Sequence, residues 1–317
     1  MKRQHWRWYV FCVVTFVVSF LLSAFIKMTY QPLAASQKVE WGPDIGSVYE
    51  DLPYGTGEAN RFDLYLPADK GKDSYGLIVY LHAGGFTAGD KGGDKEILQW
   101  LCSKGYVAAG INYTLASETQ PNANVATMSY EIRDSIPAVM AEAAARGYSL
   151  DCMAVAGGSA GGTLALLYAY RDAETSPLPV RCVFEAVGPA SFMPEEWSIY
   201  GLDQSDEAAA TFFSVLSGQA ITPEMVGTSL FADAVREISP VQWIDEQASP
   251  TLCAYGVHDK ICPFATVLPL REALAQYGVP HDIFVFEHSG HALQNDNDQA
   301  ARYQQKIEDY LATYLAE

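Results

Sequence analysis

Positive charge is scarce in this chain. Its 317 residues hold 20 Lys and Arg against 38 Asp and Glu, and four of the 20 lie before residue 28. The rest sets 16 cations against all 38 acids. With no basic surface to neutralise phosphate, nucleic acid is disfavoured as a partner. Anionic polysaccharides and anionic membrane surfaces are disfavoured for the same reason. Cysteine is also sparse. Five lie beyond the N-terminal segment (Cys102, Cys152, Cys182, Cys253 and Cys262), an odd number whose spacing matches neither a disulfide framework nor a zinc site. Cys152, Cys182 and Cys253 fall in or beside strand-like runs and read as small core side chains. Cys262 sits in a loop and reads as exposed. No internal repeat or low-complexity tract occurs. Asn295-Asp296-Asn297-Asp298 lacks the glycine and terminal glutamate of a calcium loop, so it reads as a helix cap. No metal or cofactor is implied.

One segment stands apart. Trp8 to Ile26 is 19 residues without a charge. As a helix it would be about 28 Å long, close to the roughly 30 Å hydrocarbon core of a bilayer. Lys2, Arg3 and Arg7 precede it, which keeps the N-terminus in the cytoplasm. Residues 1–27 are therefore expected to anchor the chain in a membrane, with the remainder outside the cytoplasm. The alternative is a cleaved secretory signal with a weak site at Leu33-Ala34-Ala35, giving a secreted protein. Residues 28–47 read as a linker and 48–317 as one domain; the oligomeric state is not read from the sequence.

Within that domain, Met153-Ala154-Val155-Ala156 is a short apolar run that reads as a buried strand. Thr163 to Tyr170 is rich in helix formers. Between them lies Gly157-Gly158-Ser159-Ala160-Gly161. A serine at a strand-to-helix joint with Gly at −2 and +2 has the form of the nucleophile elbow. The turn is too sharp for side chains at the flanking positions, and it lifts the Ser159 hydroxyl to the start of a helix, whose positive end favours negative charge. The plainer reading is a glycine-rich loop with a helix-capping serine.

Upstream, Tyr75 to Leu81 reads as a buried strand running into His82-Ala83-Gly84-Gly85-Phe86. Two adjacent glycines turn successive N–H groups toward one point, where an acyl carbonyl oxygen becomes an oxyanion. Donors fixed there are worth about 3–4 kcal/mol each in the transition state. The N–H of Ala160, the residue after the nucleophile, is the expected third donor. Downstream, Thr251 to Val257 is a strand ending at His258-Asp259-Lys260, and Asp282 to Phe286 is a last strand before Glu287-His288-Ser289-Gly290-His291. Ser159, Asp259 and His291 follow the order nucleophile, acid, base. His291 would take the proton from Ser159 and pass it to the leaving group, and Asp259 would hold the imidazole tautomer. His288 competes for the base and Glu185, at the end of Val180-Arg181-Cys182-Val183-Phe184, for the acid. His82 reads as a brace for its own loop.

These motifs resemble the α/β-hydrolase superfamily, in its esterase/lipase branch related to hormone-sensitive lipase and feruloyl-esterase-like proteins. The resemblance covers most of residues 40–317. It rests on Asp63-Leu64-Tyr65-Leu66-Pro67, on Leu81 to Phe86 with Gly89-Asp90-Lys91, on Gly158 to Gly162, on Gly256 with Asp259 and Pro263, and on His288 to His291. It implies that Gly84 and Gly85 supply oxyanion N–H groups. Ala83 stands where the branch has a first loop glycine, a position that donates no oxyanion bond. Thr114 stands where relatives carry an arginine. The segment around Asp259 is more similar to the feruloyl-esterase and peptidase side than to lipases.

The expected fold is α/β: a mostly parallel sheet with helices on both faces and a helical insertion, about residues 191–247, before the last strands. The aromatics of that insertion (Phe192, Trp197, Tyr200, Phe212 and Phe213) suggest a lid over the substrate; the alternative is a helical excursion buried in the scaffold. The expected activity is hydrolysis of small carboxylic esters, with short or compact acyl groups, through an acyl-enzyme. An exopeptidase or amidase on the same triad, or a silent binding domain on the same fold, are the other readings.

Overall fold

The computed structural model describes residues 14–23 and 37–315. Residues 14–23 form a helix with exposed side chains. The rest of the Trp8–Ile26 segment lies outside the described residues, as do residues 28–36 of the expected linker. Among the described residues no helix is long and apolar enough to cross a membrane.

Eight strands make one sheet: β1 Gly46–Pro53, β2 Arg61–Pro67, β3 Tyr75–Leu81, β4 Val107–Ile111, β5 Leu150–Gly158, β6 Val180–Ala186, β7 Thr251–Gly256 and β8 His281–Phe286. Their order is β1-β2-β4-β3-β5-β6-β7-β8. β2 runs antiparallel to both β1 and β4, and every other pair is parallel. The parallel strands read as continuous apolar runs because helices cover both faces; in β4 every residue is buried. One face packs α2 (Val125–Ala145), α3 (Ala160–Leu167) and α6 (Val267–Gln276). The other packs α1 (Lys95–Ser103) and α7 (Asn297–Tyr314). α2 begins with a reciprocal cap between Asn124 and Thr127, and its periodic residues Val125, Met128, Ile132, Ile136, Val139 and Ala143 are all buried.

The strand order positions the site. From β3 the chain steps to β4 on one side, then crosses back to β5 on the other. Ligands of open α/β sheets bind beyond the carboxyl ends of the strands at such a switch point. Here those ends are Leu81 and Gly157, which face each other in register.

Two expectations need correction. Trp41, in the expected linker, packs edge-on against Tyr65 with ring centroids 5.9 Å apart, so the end of that segment belongs to the folded body. The insertion, with α4 (Asp206–Ser217) and α5 (Ser229–Val235), does not turn most of its aromatics to solvent. Phe192, Trp197, Phe213 and Phe231 are buried and pack on one another, Phe192 stacked on Trp197 and the other pairs edge to face, with centroids 5.4–6.5 Å apart. Rings of this size gain more by extending the core than by lining an open face. Of the five aromatics singled out, Tyr200 is exposed and Phe212 half-buried.

Candidate active site

Ser159 joins β5 to α3 at φ 53°, ψ −122°, a conformation that side-chain-bearing residues avoid. The surrounding backbone holds it there. A Cβ on Gly157 would lie 2.4 Å from the carbonyl of Gly161, and one on Gly161 would lie 2.0 Å from the carbonyl oxygen of Leu81. The turn closes only with glycine at both places. The Ser159 N–H donates to the Ala186 carbonyl at 2.8 Å, which seats the turn on the end of β6.

His291 Nδ1–H donates to Asp259 Oδ2 at 2.7 Å. That bond sets the tautomer and leaves Nε2 to accept from the Ser159 hydroxyl, 2.9 Å away. The other oxygen of Asp259 accepts the N–H groups of Ile261 and Cys262 at 2.8 and 2.9 Å. The carboxylate is thus fully used and almost wholly buried, while His291 keeps 23% of its side chain exposed toward the mouth. The same bond draws Cys262 inward. It is buried, not exposed as its loop position suggested, and lies 3.6 Å from the Thr266 hydroxyl. The five cysteines of the described residues are all free and buried.

The loop after β3 turns back sharply at Gly84, φ 138°, where a Cβ would lie 1.9 Å from the Ala88 carbonyl oxygen. Thr87 and Ala88 donate to the Gly84 carbonyl. Among the described residues the N–H groups of Gly84, Gly85 and Ala160 donate to no backbone carbonyl of the loops. His82 lies behind this loop. Its Nδ1–H donates to the Ala83 carbonyl at 2.9 Å, and its ring stacks on Tyr113 with centroids 4.3 Å apart. The Tyr113 hydroxyl in turn donates to the His82 carbonyl. Burial lowers the His82 pKa below its ordinary value, so the ring stays neutral.

The competing groups are placed elsewhere. His288 is mostly exposed, and its Nδ1–H donates to Asp296 Oδ1 at 2.7 Å. Glu185 is buried under the elbow, its Oε2 accepting the Gly188 N–H at 2.7 Å.

Spacing alone did not reveal two supporting groups. Asp296 is the N-cap residue of α7, as the Asn295–Asp298 pattern suggests, and its carbonyl accepts the Ala300 N–H, but its side chain makes no cap bond. Its carboxylate instead accepts from the His288 N–H, the His288 ring and the Ser289 hydroxyl, at 2.6–3.0 Å. These three donors turn the carboxylate away from the helix and brace the turn leading to His291. Tyr200 donates to the carbonyls of Lys260 and Ile261 at 3.1 and 2.9 Å, which ties the insertion to the loop carrying Asp259. Neither contact has a local sequence signal.

A switch-point sheet with a hydrogen-bonded serine, histidine and aspartate at its carboxyl edge defines the α/β-hydrolase class. The sequence profile of the BD-FAE family matches residues 62–274. The chain belongs to that family and is an α/β-hydrolase of the esterase type. Among curated proteins it is similar to kynurenine formamidases of Danio rerio and Salmo salar, 30% and 29% identical over 125 and 123 residues. Those matches take in 38% of this chain in each case, and the chain spans only 39% and 38% of the relatives' length. Among solved structures it is similar to esterase B of Lactobacillus rhamnosis, with TM-score 0.66, 18% identity and coverage of 95% and 96% of the two chains. It is also similar to a thermophilic esterase of Thermogutta terrifontis, with TM-score 0.64, 21% identity and coverage of 86% and 95%. A truncated carbohydrate esterase from gut microbiota gives TM-score 0.62 at 17% identity, covering 87% and 98%. These likenesses are to the fold.

Proposed function

We propose that this chain hydrolyses small carboxylic esters with short or compact acyl groups. The observation that carries this is the continuous bond path from Asp259 through His291 to a serine on a strained turn. Ser159 Oγ attacks the ester carbonyl while its proton passes to His291 Nε2. The tetrahedral oxyanion takes the N–H groups of Gly84, Gly85 and Ala160. His291 returns the proton to the departing alcohol, leaving an acyl-enzyme. Water, deprotonated by the same nitrogen, then releases the acid.

Compact acyl groups are favoured by the insertion. It is a close-packed aromatic block tied through Tyr200 to the acid loop. Each methylene that stays buried would gain about 0.8 kcal/mol. A long trough would therefore show kcat/KM rising with chain length. Here kcat/KM for p-nitrophenyl esters is expected to peak between two and six carbons and to fall about tenfold or more beyond. A rate still climbing past decanoate overturns the compact pocket. Fluorophosphonate labelling of the native chain, lost in Ser159→Ala, tests the nucleophile.

The kynurenine formamidase relatives favour a second reading, an amide substrate on the same triad. A kynurenine formamide turned over faster than p-nitrophenyl acetate would select it. The N-terminal segment supports anchoring with the catalytic domain outside the cytoplasm, or secretion after cleavage. Carbonate extraction of membranes, with N-terminal sequencing of the mature chain, separates the two.

A further inference from the structure

The last residue but one of β6 is Glu185, whose carboxyl fills the space between the first turn of α3 and the loop 187–190. A Cβ on either Gly162 or Gly188 would lie 2.8 Å from its Oε2, so glycine at both places makes room for the group. The end of β6 and this loop together seat the serine turn. Ser159 donates to the Ala186 carbonyl, and the Thr163 hydroxyl donates to that of Pro189 at 2.7 Å. Oε2 has the Gly188 N–H, while Oε1 is buried without a hydrogen bond of ordinary geometry, the Cys253 thiol and Tyr255 hydroxyl lying beside the carboxyl and easing its burial only in part.

The titratable groups around the carboxyl are Cys253 and Tyr255 on β7, Tyr303 on α7, Tyr80 on β3, Tyr170 beyond α3 and Cys262 in the acid loop. None is a cation. Tyr255 and Tyr303 direct their hydroxyls to the carbonyls of Gly188 and Glu185, both at 2.7 Å. Burial pushes all six far above neutrality, so each stays uncharged. Burial also lifts Glu185 itself to about 7.

We propose that Glu185 is a positioning residue for Ser159 that works as the neutral acid, and that its ionisation weakens the seat of the nucleophile turn. The inference rests on the esterase reading above. In the neutral form the carboxyl packs between the two glycines and holds Gly188. Ionised, it sets an uncompensated charge beneath the turn at which the oxyanion forms, and that charge opposes the transition state rather than substrate binding. The effect therefore belongs in kcat and leaves KM unmoved.

The test compares the full chain with its Glu185→Gln variant, using p-nitrophenyl acetate from pH 5.5 to 8.5. Glutamine keeps the shape and the Gly188 bond but cannot ionise. Equal kcat values are expected near pH 6, within about twofold. Above pH 8 the variant should be about threefold faster or more at the same KM. Superimposed profiles overturn the proposal. So does a variant slower by one constant factor at every pH, which would make the carboxyl a packing group only. Glu185→Ala, which leaves a hole under the turn, should lose kcat across the whole range; an unaffected kcat also overturns it. Absence of fluorophosphonate labelling in the native chain sinks the esterase reading, and this inference with it. A labelled native chain with superimposed profiles sinks the inference alone.

Discussion

Ser159 is held in a backbone conformation that its own side chain disfavours, and the neighbours that allow and hold it are glycines and a β6 carbonyl. At this scale the two carboxylates near the site behave oppositely. Asp259 is buried but has three donors, counting His291. Asp259→Asn would present the wrong hydrogen-bond pattern to Nδ1, and kcat should fall by about 10⁴-fold with the fold intact. Steady-state kinetics beside a circular dichroism melt checks this; a loss under tenfold would remove Asp259 from the relay. Glu185 is buried with one oxygen unmatched, and its pKa rises from 4.5 in a free chain to about 7 when folded. The folded state thus binds the proton more tightly than the unfolded one between these values, so stability falls as pH rises through that window. The contribution is about 3 kcal/mol. Unfolding by urea at pH 5 and pH 8 should show the native chain losing roughly that amount relative to Glu185→Gln. Equal losses in the two proteins would mean that the group does not titrate there.

At the scale of elements, two loops present Asp259 and His291, and each is stabilised by bonds to the other or to its own turn. His258 N–H donates to the Ser289 carbonyl, which joins the loops. Asp296 closes the second through His288 and Ser289. Asp296→Ala should let the His291 loop wander from its productive position. A tenfold or larger loss in kcat with little change in KM is expected, since small misplacements of a base cost rate rather than affinity. An unchanged kcat would show that β8 alone positions His291. The insertion behaves differently from its sequence appearance. Its aromatics looked like a substrate-facing lid, yet most of them interlock into an extension of the core, with Tyr200 left to brace the acid loop.

For the whole molecule, the order of the strands is the decisive fact. β3 and β5 are parallel neighbours at the point where the strand order reverses, and this brings the glycine loop of residues 82–86 to the serine turn of 157–161. A chain beginning at residue 38 keeps Trp41 on Tyr65 and all site residues. It should remain folded, with kcat/KM within about twofold of the full chain. One beginning at residue 48 loses the Trp41 contact and the start of β1, and should melt several degrees lower. Equal melting temperatures would show that Trp41 contributes nothing.

Much of this was legible in the residues themselves. Apolar runs marked the strands because both faces of a parallel sheet are buried. Glycines marked the elbow because no other residue fits a turn that brings a Cβ within 2.4 Å of backbone. The order of serine, acid and histidine followed from chemistry that needs those three types. What the sequence left open was decided by distance. That Asp259 and not Glu185 bonds His291, and that His291 and not His288 meets Ser159, depends on side chains that meet across 32 and 132 residues of chain, and no local pattern records that. The burial of Cys262, the turn of the Asp296 side chain to the His288 loop from its place at the N-cap of α7, and the packing of the insertion's aromatics belong to the same class. Each is a competition between partners that become neighbours only when the sheet has formed, so only the tertiary structure could settle it.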